Sequence, residues 1–146
     1  HHIPDPSRFF AEAIRTLVPG GTISLIDVAH TPLARLLFGR FHPEGYDSAR
    51  EGWTLDESAP HGGADQAMSW VMLRRDRAEF DRRFPQLAVE TIELLPWFGY
   101  LFSGGLTRRN LVPGALVPLL SALDRASTVL NGAFSLHWHI RIRKRG

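Results

Sequence analysis

The residues best suited to chemistry gather in the polar part of the chain between 30 and 61: His30, His42, Glu44, Tyr46, Asp47 and His61. Histidines beside carboxylates raise two chemistries, metal ligation and general acid–base catalysis. Metal sites legible in a sequence carry tight signatures such as HExxH or paired cysteines. The stretch "HPEGYD" has neither, so no metal site is expected. The better reading is a lid over a substrate, with His30, His42, Glu44, Tyr46 and His61 as its candidates. A histidine there could take a proton from an oxygen or nitrogen nucleophile. A second group is aromatic: "WFGYLFSGG" offers Trp97, Phe98, Tyr100 and Phe102. Trp97, Tyr100 and Phe102 are candidates to line an apolar substrate pocket, against the alternative that they are core. His137 and His139 share a face with Arg141, which reads as a polar sheet face.

These residues need elements to hold them. Asp5-Pro6 is a helix start, with Asp5 able to cap free N–H groups and Pro6 losing no hydrogen bond. Phe10, Ala13, Ile14 and Leu17 follow on one face, and Pro19 ends the helix. Gly20-Gly21 supplies a tight reversal. "TISLIDV" is a β-branched run with little alternation, the mark of a strand covered on both faces as in a parallel sheet. Thr31-Pro32 opens a short helix carrying Leu33, Leu36 and Leu37. The polar stretch 40–63 is too long for an ordinary connection, and such loops tend to be functional lids or disordered. Helical spacing returns from Ala64 and runs to a stop at Pro85. "LAVETIELLP" alternates as a strand. A helix is expected from Pro113 to Leu130 with Leu116, Leu119, Leu120 and Leu123 on it, closed by Asn131-Gly132. In the last strand Phe134, Leu136, Trp138, Ile140 and Ile142 share one face.

Composition narrows the class. With 146 residues, one domain is expected. A chain that is 44% hydrophobic and 22% charged is not a disordered one. Cysteine is absent, which excludes disulfides and thiolate metal sites and fits a reducing, cytoplasmic setting. No apolar run approaches the ~20 residues that span a bilayer, so no membrane partner is expected. Net charge is +2. The basic "RIRKRG" comes without a nucleic-acid motif and reads as a solvated terminus, so no nucleic-acid partner is expected either.

"HHIPDPSRFFAEAIRTLVPGGTISLIDV" resembles the stretch of class I S-adenosylmethionine-dependent methyltransferases that runs from the end of the fourth strand through the fifth. There a histidine-containing loop precedes a helix, a proline-glycine-glycine turn and the next strand. The resemblance is strongest over residues 1–29 and holds in element order over 86–146; residues 30–85 look like an insertion. It implies an α/β fold: part of a Rossmann-like methyltransferase sheet, comprising the last three strands with the final strand antiparallel, plus a loop and helical insertion. The whole of 1–146 would be the C-terminal part of one such domain, beginning in its interior.

The same resemblance puts His1, His2 and Ile3 near the cofactor or substrate. Asp27, at the carboxyl end of its strand, joins them on the ligand side, either orienting a substrate or capping the next turn. The family's glycine-rich cofactor loop is not in this chain: its glycine pairs lie before a strand, after a loop or after an aromatic turn. S-adenosylmethionine is therefore expected in the full-length parent, and no cofactor is expected to bind this portion tightly. Methyl transfer asks mainly for alignment of nucleophile, methyl and sulfur, so a dedicated base can be absent. The implied activity is methylation of a small molecule, with this portion inactive alone. The alternative is a non-catalytic association module, a homodimer through an exposed sheet edge or apolar face.

Overall fold

The computed structural model describes residues 1–102, 104 and 112–146. Its first element, α1 (Pro6–Thr16), starts as expected: Asp5 Oδ1 accepts from the N–H groups of Ser7 and Arg8 at 3.0 and 3.2 Å. Phe10 is buried against the rings of Phe80 and Phe84. At the other end Lys144 Nζ donates to the carbonyls of Ile14 and Leu17 at 2.6 and 2.7 Å. Those carbonyls would otherwise lack partners, and a cation suits a helix C-terminus. The reversal needs its glycines: Gly20 has φ +80°, and a Cβ on Gly21 would lie 2.9 Å from the Val18 carbonyl oxygen.

Strands β1 (Thr22–Val28), β2 (Leu87–Leu94) and β3 (His137–Lys144) form one sheet in the order β1-β3-β2. β3 is antiparallel to both neighbours, so the expected antiparallel pairing of the last two strands is present. The fold is thus α/β, with a small antiparallel sheet and several helices.

The expectation that β1 is covered on both faces is corrected. Its exposure alternates, and Ile26 is 70% exposed. Among the described residues β1 pairs with β3 alone, so it is an edge strand with one bare face. Ile23 and Leu25 pack with Trp138, Ile140 and Ile142 into a core shared with Phe10, Met68, Met72 and Phe80. On the opposite face Ser24 meets His139 at 2.7 Å, and Glu90 holds Arg141 and Arg143. That is the polar sheet face anticipated for His139 and Arg141, and it also accounts for Arg143; His137 differs, packing against Phe38 and Tyr100.

α2 (Pro32–Phe41) is capped by Thr31, whose hydroxyl accepts from Ala34 N–H and donates to the Ser135 carbonyl at 2.6 Å. The polar stretch after it is strapped down. Trp53 and Leu55 are buried in the core. Asp65 is the knot: its carboxylate accepts from the N–H of Asp47 and of Ala67 and pairs with Arg50 at 3.1 Å.

The single helix expected from Ala64 to Phe84 is broken into α3 (Met68–Trp70), a π-helical turn (Val71–Arg75) and α4 (Arg77–Arg83). Asp76 N–H closes the wide turn onto the Val71 carbonyl at 2.8 Å, and its carboxylate accepts from the Trp53 indole at 3.0 Å. Apolar spacing is blind to one extra residue in a turn.

The helix expected from Pro113 to Leu130 is present in segments. α5 (Phe98–Phe102) is followed by α6 (Val117–Ala126), flanked by short 3₁₀ turns. Asn131-Gly132 does not close a helix but begins α7 (Asn131–Phe134). Phe134 therefore lies before β3 and off its apolar face, and Leu116, Leu119 and Leu123 are exposed. The glycine pair after the aromatic stretch, at 104–105, falls, Gly104 apart, outside the described residues. No helix among the described residues is long and apolar enough to cross a membrane.

Candidate functional site

The carboxyl end of β1 is where the chemistry collects. Segment 1–4 lies against it, held by Leu55 N–H on the Pro4 carbonyl at 2.8 Å and Asp65 N–H on the His1 carbonyl at 3.4 Å. These bonds place the His1 ring beside Asp27. The imidazole Nδ1 and Asp27 Oδ1 are 2.5 Å apart, and Asp27 Oδ1 also accepts from Val28 N–H at 2.8 Å. Asp27 thus orients a side chain and caps its own turn. An ionised carboxylate only accepts, so His1 carries the shared proton on Nδ1 and turns Nε2 away. Burial pulls the His1 pKa down, but the Asp27 hydrogen bond and the charges of Asp27, Glu44 and Asp65 leave it raised above 6.5.

Glu44 faces the same point from the insertion. Its side chain is 14% exposed, with Oε2 3.6 Å from His1 Nε2 and Oε1 3.4 Å from His2 Nε2. The Gln66 amide donates to Glu44 Oε2. His42 Nδ1 lies 3.8 Å from Glu44 Oε2 and accepts the Glu44 N–H at 3.3 Å. The sequence did not single out Gln66 or Asp65. Their only signal was position, a carboxylate and an amide at the start of the expected helical run.

Two cavities share this wall. One, of about 270 Å³, is apolar and bounded by Ile3, Phe9, Leu25, Met68 and Met72 with His1, His2 and Asp27 at its rim. The other, of about 360 Å³, is the more polar of the two and adds Phe38, His42, Glu44, Gln66, Tyr100 and His137. An apolar chamber with a few convergent polar groups is the usual form of a small-molecule site.

The remaining candidates disperse. His30 stacks on Trp70 with ring centres 3.8 Å apart, and its Nδ1 is 2.9 Å from the Tyr46 hydroxyl, which donates to the Ala29 carbonyl. Burial pushes the Tyr46 phenol well up, so it stays protonated. This pair braces the start of the insertion and lines neither cavity. His61 sits at a tight turn with φ 56° and is not part of the cluster either. The three aromatic candidates do not converge on one pocket. Tyr100 packs edge-on against His137 in the more polar cavity, while Trp97 stacks on Phe98 and Phe134, and Phe102 is exposed beside Phe98. The apolar chamber is built instead by Phe9, Leu25 and the two methionines of the π-turn region.

Comparison with protein-family models, curated proteins and solved structures finds no match to this chain.

Proposed function

We propose that this chain is the substrate-side, C-terminal portion of a cytoplasmic S-adenosylmethionine-dependent methyltransferase acting on a small molecule. The observation that carries the reading is the apolar chamber at the carboxyl end of β1, rimmed by His1, His2 and Asp27. Those residues stand in the segment that resembles the family, and ligands of open α/β sheets collect at strand carboxyl ends. The open outer edge of β1 supports it too, because a strand of an adjoining portion can pair there.

The described residues do not fit the nucleotide half of the cofactor. The turns that leave β1 and β2 toward a helix are Ala29-His30-Thr31 and Leu95-Pro96-Trp97, with no glycine to let the backbone approach a phosphate or ribose. The chain's own part is to seat the acceptor. The apolar wall excludes water, and the His1–Glu44 end offers hydrogen-bond partners to an acceptor hydroxyl or amine. Calorimetry with S-adenosylmethionine tests the reading on this chain and on the full-length parent. Binding by the parent alone is expected; tight binding by the short chain, or none by either, overturns it.

A second reading is favoured by the same bare strand. β1 presents an unpaired edge and the exposed Ile26, and a second copy can occupy that edge. In that case the chain is a homodimeric association module without catalysis.

A further inference from the structure

We propose that His1, His2 and Glu44 form a binding site for a divalent transition-metal ion of the Zn²⁺ type. One donor atom from each of the three lies within 4.8 Å of the others. Nitrogen and oxygen donors about 2.0–2.1 Å from a tetrahedral ion stand about 3.3–3.4 Å apart. The His2 Nε2–Glu44 Oε1 and His1 Nε2–Glu44 Oε2 distances are 3.4 and 3.6 Å. Small side-chain movements suffice to close the set on an ion.

The surroundings are those a metal site requires. The other ring nitrogen of His1 is committed to Asp27 at 2.5 Å, which fixes the tautomer and leaves Nε2 free to ligate. Glu44 is held by the Gln66 amide, and His42 Nδ1 receives the Glu44 N–H. His42 is therefore a positioning residue and not a ligand. Two imidazoles and one carboxylate suit Zn²⁺ or its first-row neighbours and lack the oxygen cage of Ca²⁺ or Mg²⁺. Three protein ligands leave a position open on the more polar cavity for water or an acceptor oxygen. The site stands whether or not the chain belongs to a methyltransferase.

The experiment titrates ZnCl₂ into the metal-free protein by calorimetry in a non-chelating buffer, with Co²⁺ absorption as a second readout. A single saturable site and a Co²⁺ visible band are expected. Glu44→Gln should weaken binding by about tenfold or more, and Asp27→Asn by ~10–100-fold, because an outer carboxylate carries that much affinity. His61→Ala, outside the cluster, should leave affinity unchanged. His2→Ala, at an exposed position, provides a second test that does not endanger folding. No saturable site, or affinity retained by both Glu44→Gln and His2→Ala, overturns the proposal. Equal loss in His61→Ala would point to generic histidine binding and overturns it as well.

Discussion

At the scale of single residues, Asp65 does more than any sequence signal announced. Its carboxylate is 6% exposed, and its partner Arg50 is 15% exposed. Removing one member of a buried pair strands the other, at a cost of about 3–5 kcal/mol. Asp65→Ala is therefore predicted to lower stability by ~3–5 kcal/mol in urea unfolding. It should also loosen Glu44, because Gln66 N–H holds the Gly45 carbonyl at 2.9 Å beside the same knot. An unchanged urea midpoint would refute this. His30 gives a prediction in pH. Burial first, then the charge of Arg35, holds its pKa below the ordinary 6.5. The unfolded chain then takes up a proton that the folded one refuses, so this part of stability is complete above 6.5 and is lost as pH falls through the folded value. His30→Gln should flatten the fall in stability on acidification relative to the parent chain. His137, whose pKa burial also lowers, is present in both proteins and cancels in the comparison. Equal pH slopes would sink the assignment.

At the scale of elements, legibility followed locality. The Asp5 cap, the Gly20-Gly21 reversal and the alternation of Trp138, Ile140 and Ile142 are set by neighbours in sequence, and all stand where sequence reasoning put them. What failed depended on distant partners. β1 read as buried because Ile23, Leu25 and Ile26 are equally apolar, and nothing local says which face receives helices. The anchoring of stretch 40–63 by Trp53 and Leu55 was likewise not legible, because its polar residues outnumber those two. The site was half legible. His1, His2 and Asp27 form one group in the sequence and His42 and Glu44 another, but no spacing rule joins the two groups. Lys144 shows the same lesson at a helix end. It closes α1 from the far terminus of the sheet, through two hydrogen bonds from a charged donor. Such bonds contribute about 1.5–3 kcal/mol each at most. Lys144→Met should reduce stability by about 1–3 kcal/mol, with hydrogen exchange accelerated at the last turn of α1. Unaltered exchange there would show that the cap is idle.

At the scale of the whole molecule, the bare edge of β1 separates the two readings of function. An association module predicts a dimer by light scattering that Ile26→Lys, a charge beside the edge, returns to monomer. The methyltransferase reading predicts instead a monomeric parent in which that edge is taken up, so that Ile26→Lys, which also lines both cavities, lowers the parent's stability without changing its oligomeric state. A strictly monomeric short chain at high concentration counts against the dimer. The strand order has a further consequence in time. Among the described residues β1 and β2 do not pair with each other; each is joined to β3, which follows both in the chain. A ribosome adding ~5–20 residues per second delivers β3 on the order of 5–20 s after β1. For that interval β1, joined by β2 once residue 94 is made, carries an apolar face and has no ladder to join. Early segments must wait for late ones, so this is a polypeptide for which chaperone occupancy during translation, more than thermodynamic stability, should govern yield.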